Sequence, residues 1–145
     1  MRIIRRIYNF MKYNKNKRLC IRATILSLYY NIYIKVVPME KAKKHFGKAG
    51  VESDYEDTTE NILRGMRLSH VVDAVCTKVP WDCKCLVRAL TIRTLLKRDK
   101  IDSTMYLGIK RDENGKLDAH AWVRCAKFYL SGGNGATYAV VGKFM

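Results

Sequence analysis

The hydrophobic residues of this chain change their spacing once, near Asp99-Lys100, and this change constrains the fold more than any other feature. Before it, apolar residues recur every three or four positions, which is typical of helices. After it, they alternate with a period of two, which is typical of strands. Helices followed by strands predict an α+β fold, because a βαβ fold would interleave the two. A length of 145 residues, 48% of them hydrophobic, suffices for one domain with a core.

Helical patterns cover most of the first hundred residues. Residues 22–37 carry an apolar stripe and stop at Pro38, and this pattern fits either a core helix or a helix lying on an anionic membrane surface. Residues 62–75 follow a candidate cap, Thr58 or Thr59. Residues 85–98 form the most regular amphipathic helix, and its basic residues gather at its C-terminal end, as the helix dipole favours.

Four short strands are predicted after the change of period. Met105, Leu107 and Ile109 alternate with polar residues, and Asn114-Gly115 marks a turn. Residues 117–125 alternate again, with His120 and Trp122 on one face. Strands over 128–131 and 138–144 follow, so the sequence predicts an antiparallel meander.

The positive charge is concentrated in the first third of the chain. The whole chain has 28 Lys and Arg against 13 Asp and Glu, but residues 1–48 hold 13 of the basic residues and a single acid, Glu40. We therefore divide the chain into a basic helical region, residues 1–75, and a core unit, residues 76–145. Residues 1–48 form a candidate surface for a protein partner or an anionic membrane. A nucleic-acid partner is not predicted, because no known nucleic-acid motif accompanies the charge.

The five cysteines do not form a disulfide or zinc pattern. Their number is odd, and no apolar segment of a secretory signal follows the basic start of the sequence, so a reduced cytoplasmic location is predicted, with peripheral attachment to the inner face of the membrane left open. Cys83 and Cys85 are spaced C-x-C and lack a second ligand pair at zinc-finger spacing. No metal and no cofactor are predicted.

Cys85 and His120 are the candidate catalytic pair. Cys85 stands at the predicted start of a helix, where free N–H groups and the helix dipole stabilise a thiolate. His120 lies within a strand 35 residues later. A helix packed on that sheet would bring the two together, with the imidazole as base and then as acid toward the leaving amine. A buried structural cysteine and a strand histidine without a catalytic role are the alternative.

The residues around this pair carry a family resemblance. Trp81-x-x-x-Cys85-Leu86-Val87-Arg88-Ala89-Leu90, then Leu95-Leu96-Lys97-Arg98, then His120-Ala121-Trp122-Val123 occur in this order. Together they resemble the lasso peptide leader peptidases, the B proteins of lasso peptide biosynthesis, which are bacterial members of the transglutaminase-like cysteine protease superfamily. The resemblance runs over residues 78–144 and implies a transglutaminase- or papain-like core, with the cysteine-bearing helix on an antiparallel sheet.

The resemblance implies a cysteine peptidase that removes the leader from a lasso precursor peptide. Cys85 would attack the bond between leader and core, and His120 would carry the proton. Residues 1–75 lack a winged-helix pattern, which implies the split form of the enzyme. In that form a separate protein recognises the leader, and an ATP-dependent cyclase, the second partner that the resemblance implies, closes the macrolactam. The alternatives are a transglutaminase-like acyltransferase and a non-catalytic basic binding module.

The third catalytic position departs from the superfamily, which usually places an Asp on the strand after the histidine. No Asp or Glu follows Asp118. We predict that Asn134 orients His120, because an amide oxygen can accept from the imidazole N–H. Asp118 is the competing candidate, since it lies two residues from His120 on the same face of the strand.

Overall fold

The computed structural model describes residues 1–145 and confirms the predicted α+β class. Five α-helices come first, a short 3₁₀ turn at Lys43–His45 follows the third, and four strands form one antiparallel sheet. The helices are α1 Arg2–Tyr13, α2 Lys17–Val36, α3 Met39–Ala42, α4 Thr59–Cys76 and α5 Cys85–Arg98. The strands are β1 Thr104–Arg111, β2 Leu117–Cys125, β3 Phe128–Ser131 and β4 Ala139–Phe144.

The core lies between three helices and one face of the sheet. α2, α4 and α5 pack against one another, and α5 packs mainly along β2. The Thr58 hydroxyl caps α4 by accepting a hydrogen bond from the Asn61 N–H at 3.2 Å. Thr58 is one of the two residues that the sequence offered as the cap. The core draws on residues from both sides of residue 75, including Ala23 of α2 and Val72 of α4.

α2 is a core helix, but it uses a different face from the apolar stripe in its sequence. The buried residues of α2 are the small and polar Ala23, Ser27 and Asn31. The apolar stripe lies on the outside, where the following side chains are exposed: Ile25, Leu28, Tyr29, Ile32 and Val36. Small residues let α2 approach its neighbours closely, so the hydrophobic pattern alone does not identify the packed face. None of the helices has the length and apolar character needed to cross a membrane.

The strand order corrects the predicted meander. The sheet runs β3-β2-β1-β4, so β4 pairs with β1 and not with β3. Three strands joined in sequence and a fourth that returns beside the first form a Greek key. The return is made by residues 132–138, whose Gly132, Gly133 and Gly135 all have positive φ angles that favour glycine. This loop passes over the face of β2 that carries His120 and Trp122.

The sheet therefore has two differently covered faces. Alternate residues of β2, namely Ala121, Val123 and Cys125, belong to the core under the helices, and we call this the helix face. His120, Trp122 and Arg124 point the other way, toward the loops at 52–55 and 131–138, and we call this the loop face. Both faces of β2 are buried over residues 121–125, whereas residues 117–119 are exposed.

Candidate functional site

Cys85 is the first residue of α5, and its thiol is half-buried. The residue before it, Lys84, is extended, with φ −63° and ψ 168°, so the helix starts abruptly at Cys85. No side chain caps this end of the helix, and no acid lies in its first turn. The first backbone N–H groups are therefore free to stabilise negative charge on the thiol or on a bound carbonyl oxygen.

Arg88 fixes the segment that leads into Cys85. Its Nε donates to the carbonyl oxygen of Cys83 at 3.0 Å, and its guanidinium donates to Asp73 of α4 at 3.2 Å. The chain before the helix is thus bonded to the end of α4. This contact gives Arg88 a structural role one turn after the candidate nucleophile.

The other thiol of the C-x-C pair lies in a different environment. Cys83 is buried, with 7% of its surface exposed, and it neighbours the equally buried Cys76 at the end of α4. Burial, together with the hydrogen bond to Cys83, raises the pKa of Cys76 to about 12. The Cys76 thiol therefore stays protonated at neutral pH. Within the C-x-C pair, Cys85 is the more accessible thiol.

His120 is held firmly on the loop face. Its Nε2 lies 2.6 Å from the carbonyl oxygen of Gly132, in the loop that returns to β4. Its ring stacks on Trp122, with a centroid distance of 5.9 Å, and contacts Tyr138 at 4.9 Å. A carbonyl oxygen only accepts hydrogen bonds, so Nε2 carries the hydrogen and the neutral ring keeps its free lone pair on Nδ1.

Cys85 and His120 lie on two elements that pack against each other, α5 and β2. The C-terminal ends of these two elements meet beside Gly65 of α4, where an added Cβ would lie 3.5 Å from Leu96 and 3.6 Å from Cys125.

The two side chains nevertheless form no hydrogen bond with each other. α5 packs on the helix face, whereas the His120 ring is held on the loop face by Gly132, Trp122 and Tyr138. Catalytic hydrogen bonds are often long in the free enzyme and shorten when substrate binds. The structure thus places Cys85 on the helix that packs along the histidine strand, and the pairing of Cys85 with His120 stays a prediction.

Asn134 and Asp118, the two candidates for orienting His120, make other contacts. The Asn134 amide oxygen accepts from the Ala136 N–H at 3.1 Å and so shapes its own turn. Asp118 accepts from the Tyr138 hydroxyl at 2.8 Å and lies 3.8 Å from the Lys110 ammonium. The hydrogen bond of His120 Nε2 is made to the Gly132 carbonyl oxygen and not to either of these side chains. Catalytic orientation by Asn134 stays a prediction, and Asp118 reaches His120 only through the ring of Tyr138.

A buried arginine, which was not among the predicted site residues, holds the loop at residues 52–55 against the loop face. Arg124 is fully buried, donates to the Ser53 carbonyl at 2.8 Å, and lies over the Tyr55 ring at 3.8 Å. Tyr106 of β1 accepts from Arg124 at 3.0 Å and donates to Glu52. The sequence did contain a signal for this contact: an arginine within a predicted strand that becomes buried must find hydrogen-bond partners.

Glu52 and Tyr106 have shifted ionisation because of these contacts. The hydrogen bond from Tyr106, followed by the one from Lys143 at 3.0 Å, lowers the pKa of Glu52 below its ordinary value of 4.5. Burial, followed by the hydrogen bond to Glu52, raises the pKa of Tyr106 to about 12. Both residues therefore keep their neutral-pH charge states over a wide pH range.

The two cavities with the most apolar lining lie away from Cys85 and His120. An apolar cavity of about 560 Å³ lies between α1, α2 and α4 and is lined by Phe10, Ile21 and Val71 among others. A second of about 830 Å³ lies beside β4 and Tyr106. Neither cavity is lined by Cys85 or His120.

The comparisons with known proteins agree with this architecture. A family profile described as "Transglutaminase-like superfamily" matches residues 36–142, which covers α3, α4, α5 and nearly all of the sheet. The searches of curated proteins and of solved structures each gave no match. The matched range includes both Cys85 and His120. It begins at residue 36, within the predicted basic helical region of residues 1–75.

Proposed function

This chain belongs to the transglutaminase-like superfamily, and we propose that within it the chain is a cysteine peptidase that removes the leader from a lasso precursor peptide. The superfamily includes cysteine peptidases and acyltransferases. The observation that carries the proposal is the position of Cys85: a half-buried, accessible thiol on the free first turn of the helix that packs along the histidine strand. The motif resemblance supplies the substrate class.

The contacts of His120 support its role as the base. Because Nε2 is occupied by the Gly132 carbonyl, the unprotonated nitrogen is Nδ1. In the proposed reaction, Nδ1 takes the proton of the Cys85 thiol when substrate closes the pair. The Gly132 carbonyl then faces the N–H that stays on the imidazolium, which is the place that an Asp or Asn side chain occupies in related sites.

The proposed reaction proceeds in two steps. The Cys85 thiolate attacks the carbonyl carbon between leader and core, and the peptide C–N bond breaks as His120 gives its proton to the departing amine. The leader remains attached as a thioester. Water then attacks this thioester, His120 takes one water proton, and the leader carboxylate and the thiol are released. The free N–H groups at the start of α5 would stabilise the oxyanion in both steps.

The proposal includes two partners. A separate recognition protein would bring the leader to Cys85 and raise its local concentration. An ATP-dependent cyclase would then use the new amino terminus of the core peptide. A preference for Thr at the penultimate leader position is expected from the resemblance.

Cleavage of a purified lasso precursor, read by mass spectrometry, tests the activity. We expect Cys85→Ala to lower the rate at least a thousandfold, whereas Cys83→Ala keeps most of it and serves as the matched control. Leader and core with one water added indicate hydrolysis. An amine joined to the leader would instead indicate an acyltransferase, and equal rates for wild type and Cys85→Ala would overturn the assignment of the nucleophile.

Alkylation by iodoacetamide tests the pair without a substrate. Peptide mapping should show that Cys85 is modified at least tenfold faster than Cys76 or Cys83, because its thiol is only half-buried and lies at a free helix end, whereas the other two are buried. If His120 assists Cys85, His120→Ala should slow that modification at neutral pH. Faster modification of Cys83 than of Cys85 would contradict the assignment.

The recognition protein gives the third test. Its addition should raise the rate at low precursor concentration and have little effect at saturation, because it acts on local concentration. Equal rates with and without it, over a range of precursor concentrations, would refute the split form of the enzyme and leave the activity of Cys85 unaffected.

A further inference from the structure

The first helix has two sharply separated sides. At 100° per residue, the five apolar residues of α1 fall within an arc of roughly 120°. The opposite side holds its cations and one amide. The apolar side consists of Ile3, Ile4, Ile7, Phe10 and Met11, and the polar side of Arg2, Arg5, Arg6, Asn9 and Lys12.

The apolar side of α1 is not packed against the protein. No residue of α1 is buried, and Ile3, Ile4 and Ile7 are 72%, 73% and 58% exposed. A helix of a globular domain normally buries such a stripe, because water disfavours it. A contiguous exposed apolar surface of this kind marks a binding site.

The exposed stripe of α2 continues the apolar side of α1. Its members recur at spacings of three and four along the helix, and Val36 at its end is 72% exposed. Phe10 of α1 meets Ile21 and Ile25 of α2 at the cavity of about 560 Å³. The α2 stripe consists of Ile25, Leu28, Tyr29, Ile32 and Val36, and the exposed Ile21 extends it toward α1.

The charges on the same two helices have one sign. Residues 1–39 contain nine Lys and Arg and no Asp or Glu. A cleft of about 290 Å³ beside the turn between α1 and α2 adds arginines from α4 and α5, and Asp99 is the one acid in its lining. The cations of the cleft are Lys15, Arg18, Arg22, Arg64, Arg67 and Arg98.

We propose that α1 and the α2 stripe bind the surface of a membrane that contains anionic phospholipid. α1 lies in the plane of the interface, with its apolar side among the upper acyl chains and its arginines and lysines at the lipid phosphates. The cleft beside the α1–α2 turn receives further headgroup phosphates. This binding is independent of the proposed peptidase activity.

The charge pattern argues against the other occupants of this surface. A second copy of the chain would place nine cations against nine cations, without an acid in the same segment to balance them. A nucleic acid would pair with the cations but leave the apolar sides of both helices in water. An anionic bilayer satisfies both the apolar and the cationic side.

Vesicle sedimentation of the full chain tests the proposal. We expect binding to vesicles of phosphatidylcholine with 30% phosphatidylglycerol to exceed binding to pure phosphatidylcholine at least tenfold in 100 mM salt. The excess should fall at 500 mM salt, because the charge contribution is screened.

Two variants that add the same charge separate insertion from simple charge attraction. Ile7→Glu places a carboxylate on the apolar side and should weaken vesicle binding at least tenfold. Asn9→Glu places one on the polar side and should weaken it about fivefold or less. Neither residue is buried, so thermal unfolding and precursor cleavage without vesicles should match wild type for both.

Three results would overturn the proposal. The first is equal binding to both kinds of vesicle, or no binding to either kind. The second is an equal effect of Ile7→Glu and Asn9→Glu, which would mean that the apolar side does not insert. The third is self-association in sedimentation velocity that Ile7→Glu abolishes without vesicles, which would make a second copy the occupant.

Discussion

The helix face and the loop face of the sheet are built from different chemistry, although they share the same strands. Ala121, Val123 and Cys125 hold the helix face by packing apolar surface against α4 and α5. The loop face instead depends on directional contacts: Arg124 to backbone carbonyls and His120 to the Gly132 carbonyl. Apolar packing tolerates exchange of similar side chains, whereas hydrogen bonds to fixed carbonyls do not.

This difference explains where the proposed chemistry lies. Apolar contacts have no preferred direction, so the helix face supplies stability but cannot fix the angle of an imidazole. The loop face fixes His120 from two sides, through Gly132 on Nε2 and through the rings of Trp122 and Tyr138. Each prediction below changes one face and uses the other, or a neighbouring position, as its control.

The largest effect is expected from two neighbouring residues of β2 that point to opposite faces and are both fully buried, Arg124 and Val123. Arg124→Met should lower the free energy of unfolding by about 3 kcal/mol, because it leaves buried carbonyls unpaired. Val123→Ala should cost about 2 kcal/mol through lost burial. Urea unfolding measures both changes.

Limited proteolysis distinguishes the two mechanisms. Arg124→Met should expose residues 52–55 to cleavage, because Arg124 bonds to the carbonyls of Ser53 and Asp54. Val123→Ala should leave that loop protected. Equal cleavage of the loop in both variants would show that the two faces are not independent.

The second prediction compares two glycines of the loop that crosses His120. Gly135 and Gly133 both have positive φ, 63° and 70°. An added Cβ at Gly135 would lie 2.3 Å from the Trp122 ring, whereas at Gly133 nothing lies within 4 Å. Each alanine should cost about 1 kcal/mol of backbone strain.

Only Gly135→Ala should also displace the loop from Trp122 and lower precursor cleavage, by about tenfold, because His120 would lose part of its support. Cleavage rates corrected for the folded fraction measure this effect. If Gly133→Ala lowered the rate as much, the effect would be one of backbone strain, and the contact with Trp122 would have no role.

The third prediction decides which group orients His120. If the Gly132 carbonyl does so, Asn134→Ala should change the cleavage rate less than threefold, because the Asn134 side chain bonds only within its own turn. Asp118→Asn should lower the rate about threefold, by weakening its contact with Tyr138. A loss of ten- to a hundredfold in Asn134→Ala would instead confirm Asn134 as the orienting residue.

The sequence predicted one face of the sheet well and the other poorly, for a physical reason. The α+β class, the bounds of α5 and β2 and the apolar residues of the helix face follow from periodicity, because burial repeats with the geometry of the element. The contacts of Arg124 with residues 53 and 54 join segments some 70 residues apart and follow no period. The hydrogen bond of His120 is made to the backbone carbonyl of Gly132, and because every residue has a backbone carbonyl, no residue type in the sequence predicts it.

The position of β4 was also beyond the sequence pattern. Its alternation predicts a strand but not the partner of that strand, and the meander was the simplest arrangement. The Gly-rich loop at 132–135 lets the chain turn back across Trp122 and reach β1. This crossing is what brings Tyr138 and the Gly132 carbonyl to His120.

The smallest effect is expected at Glu52, which joins the loop face to β4. Its pKa is lowered in the folded chain, chiefly by the hydrogen bond from Tyr106 and then by the one from Lys143. An acid with a lowered pKa stabilises the fold above its unfolded pKa, and that stability is lost as the pH falls through the folded value. The contribution of Glu52 is thus complete at pH 7, begins to fall near the unfolded pKa of about 4, and is lost as the pH passes through the lowered folded value.

Glu52→Gln keeps the size of the side chain and removes its charge. At pH 7 the variant should unfold about 3 °C below wild type, because a hydrogen-bonded ion pair at a half-buried position contributes about 1 kcal/mol. Thermal unfolding from pH 7 to pH 3 should show this gap closing as Glu52 is protonated. Asp112→Asn, in the exposed turn between β1 and β2, is the matched control, and its melting temperature should show no comparable pH-dependent difference from wild type. A difference in melting temperature between Glu52→Gln and wild type that stays constant down to pH 3 would mean that the carboxylate charge of Glu52 does not contribute to stability.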